Sequence, residues 1–504
     1  MQQNVAYRLS WCYYIITMKF NYKRTILCSL AFGWIALFWG SYDSFMQVVN
    51  YEVYNLSSFW HGVIIASDNI FGLILLPIFG KLSDMSKGKR FGKRKPYVVI
   101  GTIVEMIAFS GVCIFASLGK DYFVPFIICL MLTLASLAAY RSPALAIVPD
   151  INPDKFRSKA NAISNIVSVI TTVMALGYFM LMPKDVSDGF WAYGGLMVGT
   201  TLILLVWFCI AVKENKFNRE VALELEQEQQ DLIPDGNVAE RINFDAVEIS
   251  CQNENGTKPS YNVNTNDTLL HLPFIDATKQ YGIPKRLKAL RKNATFNKLC
   301  ILGIVFCFYM AYNAITSNFI MYAKTILNFA QSQAIIPLII AQAAAMLTFP
   351  LSSWLAGKIG RKYTILSGFV LMLVCFSVTI FFSTPHPVLY LVFMGLGVSF
   401  GFAMVNIYPF YLENAPDSKL GKETGVFSVA MTLAMVVTPI LSGVLIDNTD
   451  HWFGGFENAG FKVLFPYCIV FLVLAVIFSL LIEDKNPINK RRRRRKLLEN
   501  NQCQ

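Results

Sequence analysis

Four ionisable side chains stand inside runs of apolar residues: Asp43 in LFWGSYDSF, Asp68 in IIASDNIFG, Glu105 in GTIVEMIAF and Arg141 in AAYRSPALA. A charge held away from water is costly, so an acid or a guanidinium in such a run points to a partner or a task. Shielding favours the neutral form of a carboxylic acid, while a nearby guanidinium favours the charged form. A helix movement or an arriving solute that alters this contact exchanges a proton, which is the chemistry of proton coupling. Asp68 or Glu105 is the expected proton carrier and Arg141 the counter-charge. A static buried ion pair, or a polar lining of a wet cavity, is the plainer reading of the same residues.

The elements that must hold these groups follow from composition. The chain has 504 residues, of which 55% are hydrophobic and 15% charged, and its mean hydropathy is +0.48. That mixture is far from a soluble domain and makes lipid the expected solvent. A helix needs about 20 apolar residues to cross a hydrocarbon layer roughly 30 Å thick. Twelve runs qualify, centred near Leu37, Ile70, Ile107, Leu134, Val173, Leu204, Met310, Ala343, Leu371, Leu396, Val436 and Val470. Pro77, Pro143, Pro409 and Pro439 fall inside them and read as kinks, tolerated where neighbouring helices satisfy the freed carbonyls. Counting the helical rise puts Asp68 near mid-membrane, and Glu105 and Arg141 about 10 to 12 Å from the inner ends. Asp43 comes out toward the outer end, where it can touch water.

A net charge of +12 raises the question of nucleic acid, and the placement of the charge answers it. Lys and Arg gather in alternate connections: around Lys23, in GKLSDMSKGKRFGKRKP (Gly80 to Pro96), at Lys155 to Lys159, Lys285 to Lys298, Lys358 to Lys362, Lys419 and Lys422, and in the tail from Lys490. This is the positive-inside pattern, so no nucleic acid is expected and both termini are placed in the cytoplasm. The expected organisation is a lead over 1–24, six helices over 25–213, a polar cytoplasmic linker over 214–297, six helices over 298–483 and a basic tail over 484–504. Glu220 to Gln230 could form a short surface helix within the linker. MKFNYKRT directly before the first span makes Met18 the expected start of translation, and no cleavable signal peptide is evident. The eleven cysteines are scattered and the four histidines unpaired, so no metal site is expected.

The halves echo one another. RSPALAIVPDINPDKFRSKANA follows the fourth span, YPFYLENAPDSKLGKETGVFS the tenth, and SSWLAGKIGRKY sits after the eighth span as the Gly80 stretch does after the second. Six plus six helices in repeat is the pattern of a duplicated transporter scaffold with its site between the halves. GKLSDMSKGKRFGKRKP resembles the loop between helices two and three of major facilitator superfamily transporters. With SDNIFGLILLPIFGKLSD and GKETGVFSVAMTLAMVVTPILSGVLID it is similar to the glycoside-pentoside-hexuronide cation symporters and to the sucrose-transporter-like group. The resemblance implies an all-α membrane protein of twelve helices in two six-helix halves. Gly357 stands where the second copy of the loop motif would carry its aspartate, so that copy is degenerate. Sodium-coupled relatives resemble a paired-acid motif on the second helix, whereas Asp68 is alone, which favours protons.

Gly80, Asp84, Arg90, Arg94, Asp150 and Arg157 are the expected conformational switch, with Asp84 pairing to the basic turn and bracing the ends of adjacent helices. Sugars present hydroxyls and weakly apolar faces, so Trp39, Tyr42, Asn69, Tyr312, Asn313, Gln342, Asn406 and Tyr408 are the candidate binding residues. The expected function is a plasma-membrane secondary transporter of a sugar or glycoside, driven by a proton or sodium gradient without a bound cofactor. Carriers of another solute, such as a drug exporter or nucleoside carrier, share the scaffold. A membrane-embedded enzyme or sensor is disfavoured, because no nucleotide-binding glycine loop occurs. A monomer is expected. Arg491 to Arg495 could hold anionic lipid headgroups or simply set topology. Asn55, in NLS, would accept a glycan only in a eukaryotic secretory pathway.

Overall fold

A computed structural model of the chain describes residues 20–86, 92–153, 156–182, 186–231, 294–413, 420–449 and 459–482. Met18, Arg90, the linker from 232 to 293 and the basic tail lie outside the described residues. Each of the twelve expected centres falls in its own membrane-length helix. In the first half these are α1 (Tyr22–Val48), α2 (Ser58–Met85), α3 (Lys95–Leu118), α4 (Phe123–Asp150), α5 (Arg157–Met180) and α6 (Val186–Ala211). A surface helix, α7 (Glu214–Asp231), follows and includes the stretch Glu220 to Gln230. The second half holds α8 (Ala294–Thr325), α9 (Ile336–Ile359), α10 (Arg361–Thr379), α11 (Pro387–Leu412), α12 (Leu420–Thr449) and α13 (Leu464–Leu481).

Helices are the only open-ended solution here, because lipid offers no partner to a free N–H or carbonyl. Their ends are marked by chemistry legible in the sequence. Asn21 accepts from the Arg24 amide at 3.0 Å to start α1, and proline stands in the first turn of α3, α9 and α11. Two lysines close helices from a neighbour: Lys95 Nζ donates to the Cys209 and Val212 carbonyls at the end of α6, and Lys362 Nζ to the Ile482 carbonyl beyond α13. They occupy matching places in the two halves.

The repeat extends to packing. In the first half α1 packs on α5 and α6, α2 on α4, and α3 on α4 and α6; in the second α8 packs on α12 and α13, α9 on α11, and α10 on α11 and α13. Between the halves α2 runs against α12, α1 against α8 and α5 against α9. The α2–α12 contact is tight at one end only. A Cβ on Gly62 would overlap the Pro439 carbonyl oxygen, and one on Gly443 the Ser58 carbonyl oxygen. Past Ala66, α2 buries only Ser83, so toward the lysine- and arginine-rich end, called the basic end below, the halves diverge.

Candidate functional site

Between the halves lies a cleft of about 180 Å³. α1 gives it Trp39, Gly40, Asp43 and Ser44, α5 gives Thr172 and Leu176, and α8 gives Tyr312, Ile315 and Thr316. The remaining wall comes from α9, α10 and α11. Of the expected binding residues, Trp39, Tyr312 and Gln342 line this cleft. Tyr42 lies one turn along, 2% exposed, stacked on Phe38 at 5.3 Å, with no protein partner for its hydroxyl.

The other expected binding residues do different work. Asn313 donates to the Met435 carbonyl at 3.0 Å, tying α8 to α12. Asn406 donates to Ser352 Oγ at 2.8 Å, tying α11 to α9. Tyr408 shares a hydrogen bond with Thr424 at 2.9 Å and packs edge-on against Phe427. Asn313 and Asn406 thereby satisfy buried polar groups inside the second half, while the Tyr408 bond is half-buried.

The intramembrane charges fall into two sets. Asp43 lines the cleft beside Thr316 of the other half, whose hydroxyl donates to Asn313 in its own helix, to the carbonyl at 3.1 Å and to Oδ1 at 3.2 Å. Asp68 is held by its neighbour, Asn69 Nδ2 donating to Oδ1 at 2.5 Å, and interacts electrostatically with both Asp43 and Arg141. The Arg141 guanidinium sits over the Trp39 ring, 5.8 Å from its centroid, a distance at which the ring face attracts a cation. Asp43, Trp39, Arg141 and Asp68 thus form one electrostatic group on the first-half side of the cleft. Glu105 is not part of it. It is 5% exposed within the first half and accepts from Tyr140 Oη at 2.8 Å.

The family model described as Major Facilitator Superfamily matches residues 25–422 and 301–501. The chain belongs to that superfamily. Comparison with curated protein sequences gave no match. Among solved structures of similar fold are the nucleoside transporter NupG (14% identity, TM-score 0.59, 92% of this chain and 100% of the other) and a D-xylose-proton symporter (16%, 0.57, 91% and 96%). The inward-open form of the xylose transporter XylE from E. coli is another (12%, 0.58, 92% and 96%).

In this major facilitator transporter the basic end carries the loop network. Arg94 joins two helices, its Nη2 3.0 Å from Asp84 at the end of α2 and its Nε 2.5 Å from Asp150 at the end of α4. Lys93 lies 3.6 Å from Asp84. Gly80 leaves room for Ser142 of α4, whose Oγ would stand 2.7 Å from an added Cβ. Arg157 is the first residue of α5. Sequence reasoning missed the anchor of this network, Glu214. Its carboxylate accepts from the backbone amides of Lys93 (2.8 Å), Arg94 (3.1 Å) and Lys95 (2.9 Å), capping α3 from the first residue of α7. Gly92, at φ +100°, makes the approach possible. In the second half Arg361 pairs with Glu413 at the end of α11, matching the Arg94–Asp150 pair, while the Asp84 position has no acidic counterpart at Gly357.

The opposite end is closed by contacts across the halves, none of which the sequence disclosed. Asp447 of α12 accepts from the Ser58 and Phe59 amides at 2.8 and 2.9 Å, capping α2. Gln47 fits into the turn of α8 around Thr316, donating to that carbonyl at 2.9 Å and accepting from the Ile320 amide at 2.9 Å. His61, fully buried, donates through Nε2 to the Ser317 carbonyl at 2.8 Å and accepts from Asn50 at Nδ1, 2.9 Å away. Glu52 pairs with Lys324. A short apolar run with one Gln or His reads as an ordinary helix; only the partner helix shows the contact.

Proposed function

We propose that this transporter moves a sugar or glycoside together with a proton, by alternating access, across the plasma membrane. In this reading the basic end is cytoplasmic, so the structure is the inward-facing form, sealed at the outer end by Asp447, Gln47, His61 and the Glu52–Lys324 pair. The observation that carries the proposal is the electrostatic group beside the inter-half cleft, in which Asp43 faces the cleft and Asp68 answers to both Asp43 and Arg141. Asp68 interacts with both a second carboxylate and a guanidinium, so a solute that engages Asp43 or Trp39 changes the field that decides its protonation. Glu105, satisfied by Tyr140, is left out of the coupling pathway.

The D-xylose-proton symporter of similar fold supports a sugar with proton coupling. NupG, equally similar in fold, keeps a nucleoside carrier as the second reading. The test is reconstitution in liposomes with a pH-sensitive dye, adding glycosides on one side. A saturable, glycoside-dependent proton signal that disappears in Asp68→Asn is expected. Silence with every sugar, with or without sodium, removes the proposed substrate class, and an intact signal in Asp68→Asn removes Asp68 as carrier.

A further inference from the structure

Deep in the outer seal lies a titratable side chain outside the electrostatic group of the cleft. His61 of α2 is fully buried, and both of its ring nitrogens are engaged. Nε2 faces the Ser317 carbonyl of the other half at 2.8 Å, an oxygen that only accepts, so Nε2 carries a proton. Nδ1 is left as an acceptor, and Asn50 Nδ2 donates to it at 2.9 Å. Asn50 reaches this place from a single π turn, Val49–Val53, that follows α1, a local widening of the kind found at functional sites. The Tyr51 ring of the same turn packs on the imidazole, 4.8 Å between centroids. On the next residue, Gly62, α12 closes in through the Pro439 carbonyl.

These contacts fit the neutral imidazole. A proton added at Nδ1 points at the Asn50 amine and meets no acceptor. Turning that amide presents Oδ1, the atom now buried without a partner. The turn only exchanges one orphan for another, Nδ2, while enclosing a full charge. The ionisable groups on the surrounding elements supply no spare counter-charge. Glu52 is paired with Lys324 of α8, and Asp447 of α12 accepts from the Ser58 and Phe59 amides. Tyr51 adds a phenol, and Lys462, next to the Phe461 ring that packs on Tyr51, adds a further positive charge. Opening the outer end separates α2 from α8 and α12 and puts the imidazole in water, where it titrates near its ordinary pH of about 6.5.

We propose that His61 is a proton site of the outer gate, filled from outside as the gate opens, so that external acid favours the outward-facing form. Below about pH 6.5 the open form holds more protons at this site than the sealed one, so the ratio of open to sealed rises as pH falls; well above that value the ratio is flat. His61 is thus a positioning residue for the gate, biasing the cleft toward the side richer in protons. The inference rests on the inward-facing reading above and not on the choice of solute.

The test uses intact cells expressing the full chain with Ser44→Cys in the cleft and a membrane-impermeant thiol reagent added outside, in buffer without sugar. Because the reagent itself responds to pH, each rate is divided by that of the same probe in His61→Gln at the same pH. Between about pH 7.5 and 5.5 this ratio should rise about 10-fold. Asn50→Asp sets a carboxylate against Nδ1 and lets the sealed form hold the second proton, so the rise should shrink to below about threefold. If His61→Gln does not fold, Asn50→Asp takes its place as the reference, and the ratio should rise by about threefold or more. A ratio that stays within about twofold, or falls, overturns the proposal. So does an undiminished rise in Asn50→Asp. No reaction from outside at any pH overturns the inward-facing reading together with the proposal. A 10-fold rise in a protein that moves no sugar leaves the gate standing and removes only the substrate class.

Discussion

Removing the charge at position 447 should open the outer end. Asp447 belongs to the second half, yet its two oxygens accept from two amides of α2 in the first, at 2.8 and 2.9 Å. Hydrogen bonds to a charged acceptor contribute about 1.5 to 3 kcal/mol each, and a carboxylate at a helix N-terminus adds a favourable interaction with the helix dipole. Both contacts exist only while α2 and α12 touch at this end, so they favour one state and leave the other unaffected. Asp447→Asn keeps one carbonyl acceptor and loses the charge, a loss of about 2 kcal/mol against the sealed state. That corresponds to a shift of roughly 30-fold in the equilibrium between the two states. A cysteine placed at Ser44, beside the cleft, reports the change through its rate of modification by a membrane-impermeant thiol reagent added outside. The reaction should accelerate about 10- to 30-fold in Asp447→Asn relative to the same probe with Asp447 intact. A change below about threefold would refute the idea that this cap distinguishes the two states.

Two further outcomes are expected. Glu214→Gln should weaken the cap on α3 by about 1 kcal/mol, and amide hydrogen exchange at Lys93, Arg94 and Lys95 should speed up about fivefold while exchange in α10 stays as it was. Glu105→Gln still offers Tyr140 an acceptor and should leave proton-coupled uptake intact, whereas Glu105→Leu strands the buried tyrosine hydroxyl at a cost of about 1 to 3 kcal/mol, read as a lower unfolding temperature. Loss of proton coupling in Glu105→Gln would return that residue to the coupling pathway.

Much of the architecture is written in the sequence because lipid imposes a one-dimensional rule. Every spanning segment must be apolar and long enough, so twelve runs give twelve helices, and the alternation of basic connections gives a topology. The repeated loop motifs announce the two halves. Asp84 was legible because an acid beside a basic turn is a charge that topology does not require, and Arg94 stands in that turn.

The face that each helix turns toward its neighbours is not written there. Uniform apolarity removes the periodic contrast that marks the buried side of a helix in water. Asn313 and Tyr312 are adjacent in sequence and equally plausible as ligands, yet about 100° of helical turn sends Tyr312 to the cleft and Asn313 to the Met435 carbonyl. Depth along one helix puts Asp43 toward the end of its span; that it also lines a cleft with Tyr312 and Thr316 of the other half appears only in the packing. Gln47, His61 and Asp447 gain their roles only from backbone groups of the opposite half. The sequence determined the spans, their order and the basic loops, because each depends on local composition. Tertiary structure decided which polar groups share a site, because contacts between the halves depend on how twelve similar apolar surfaces pack.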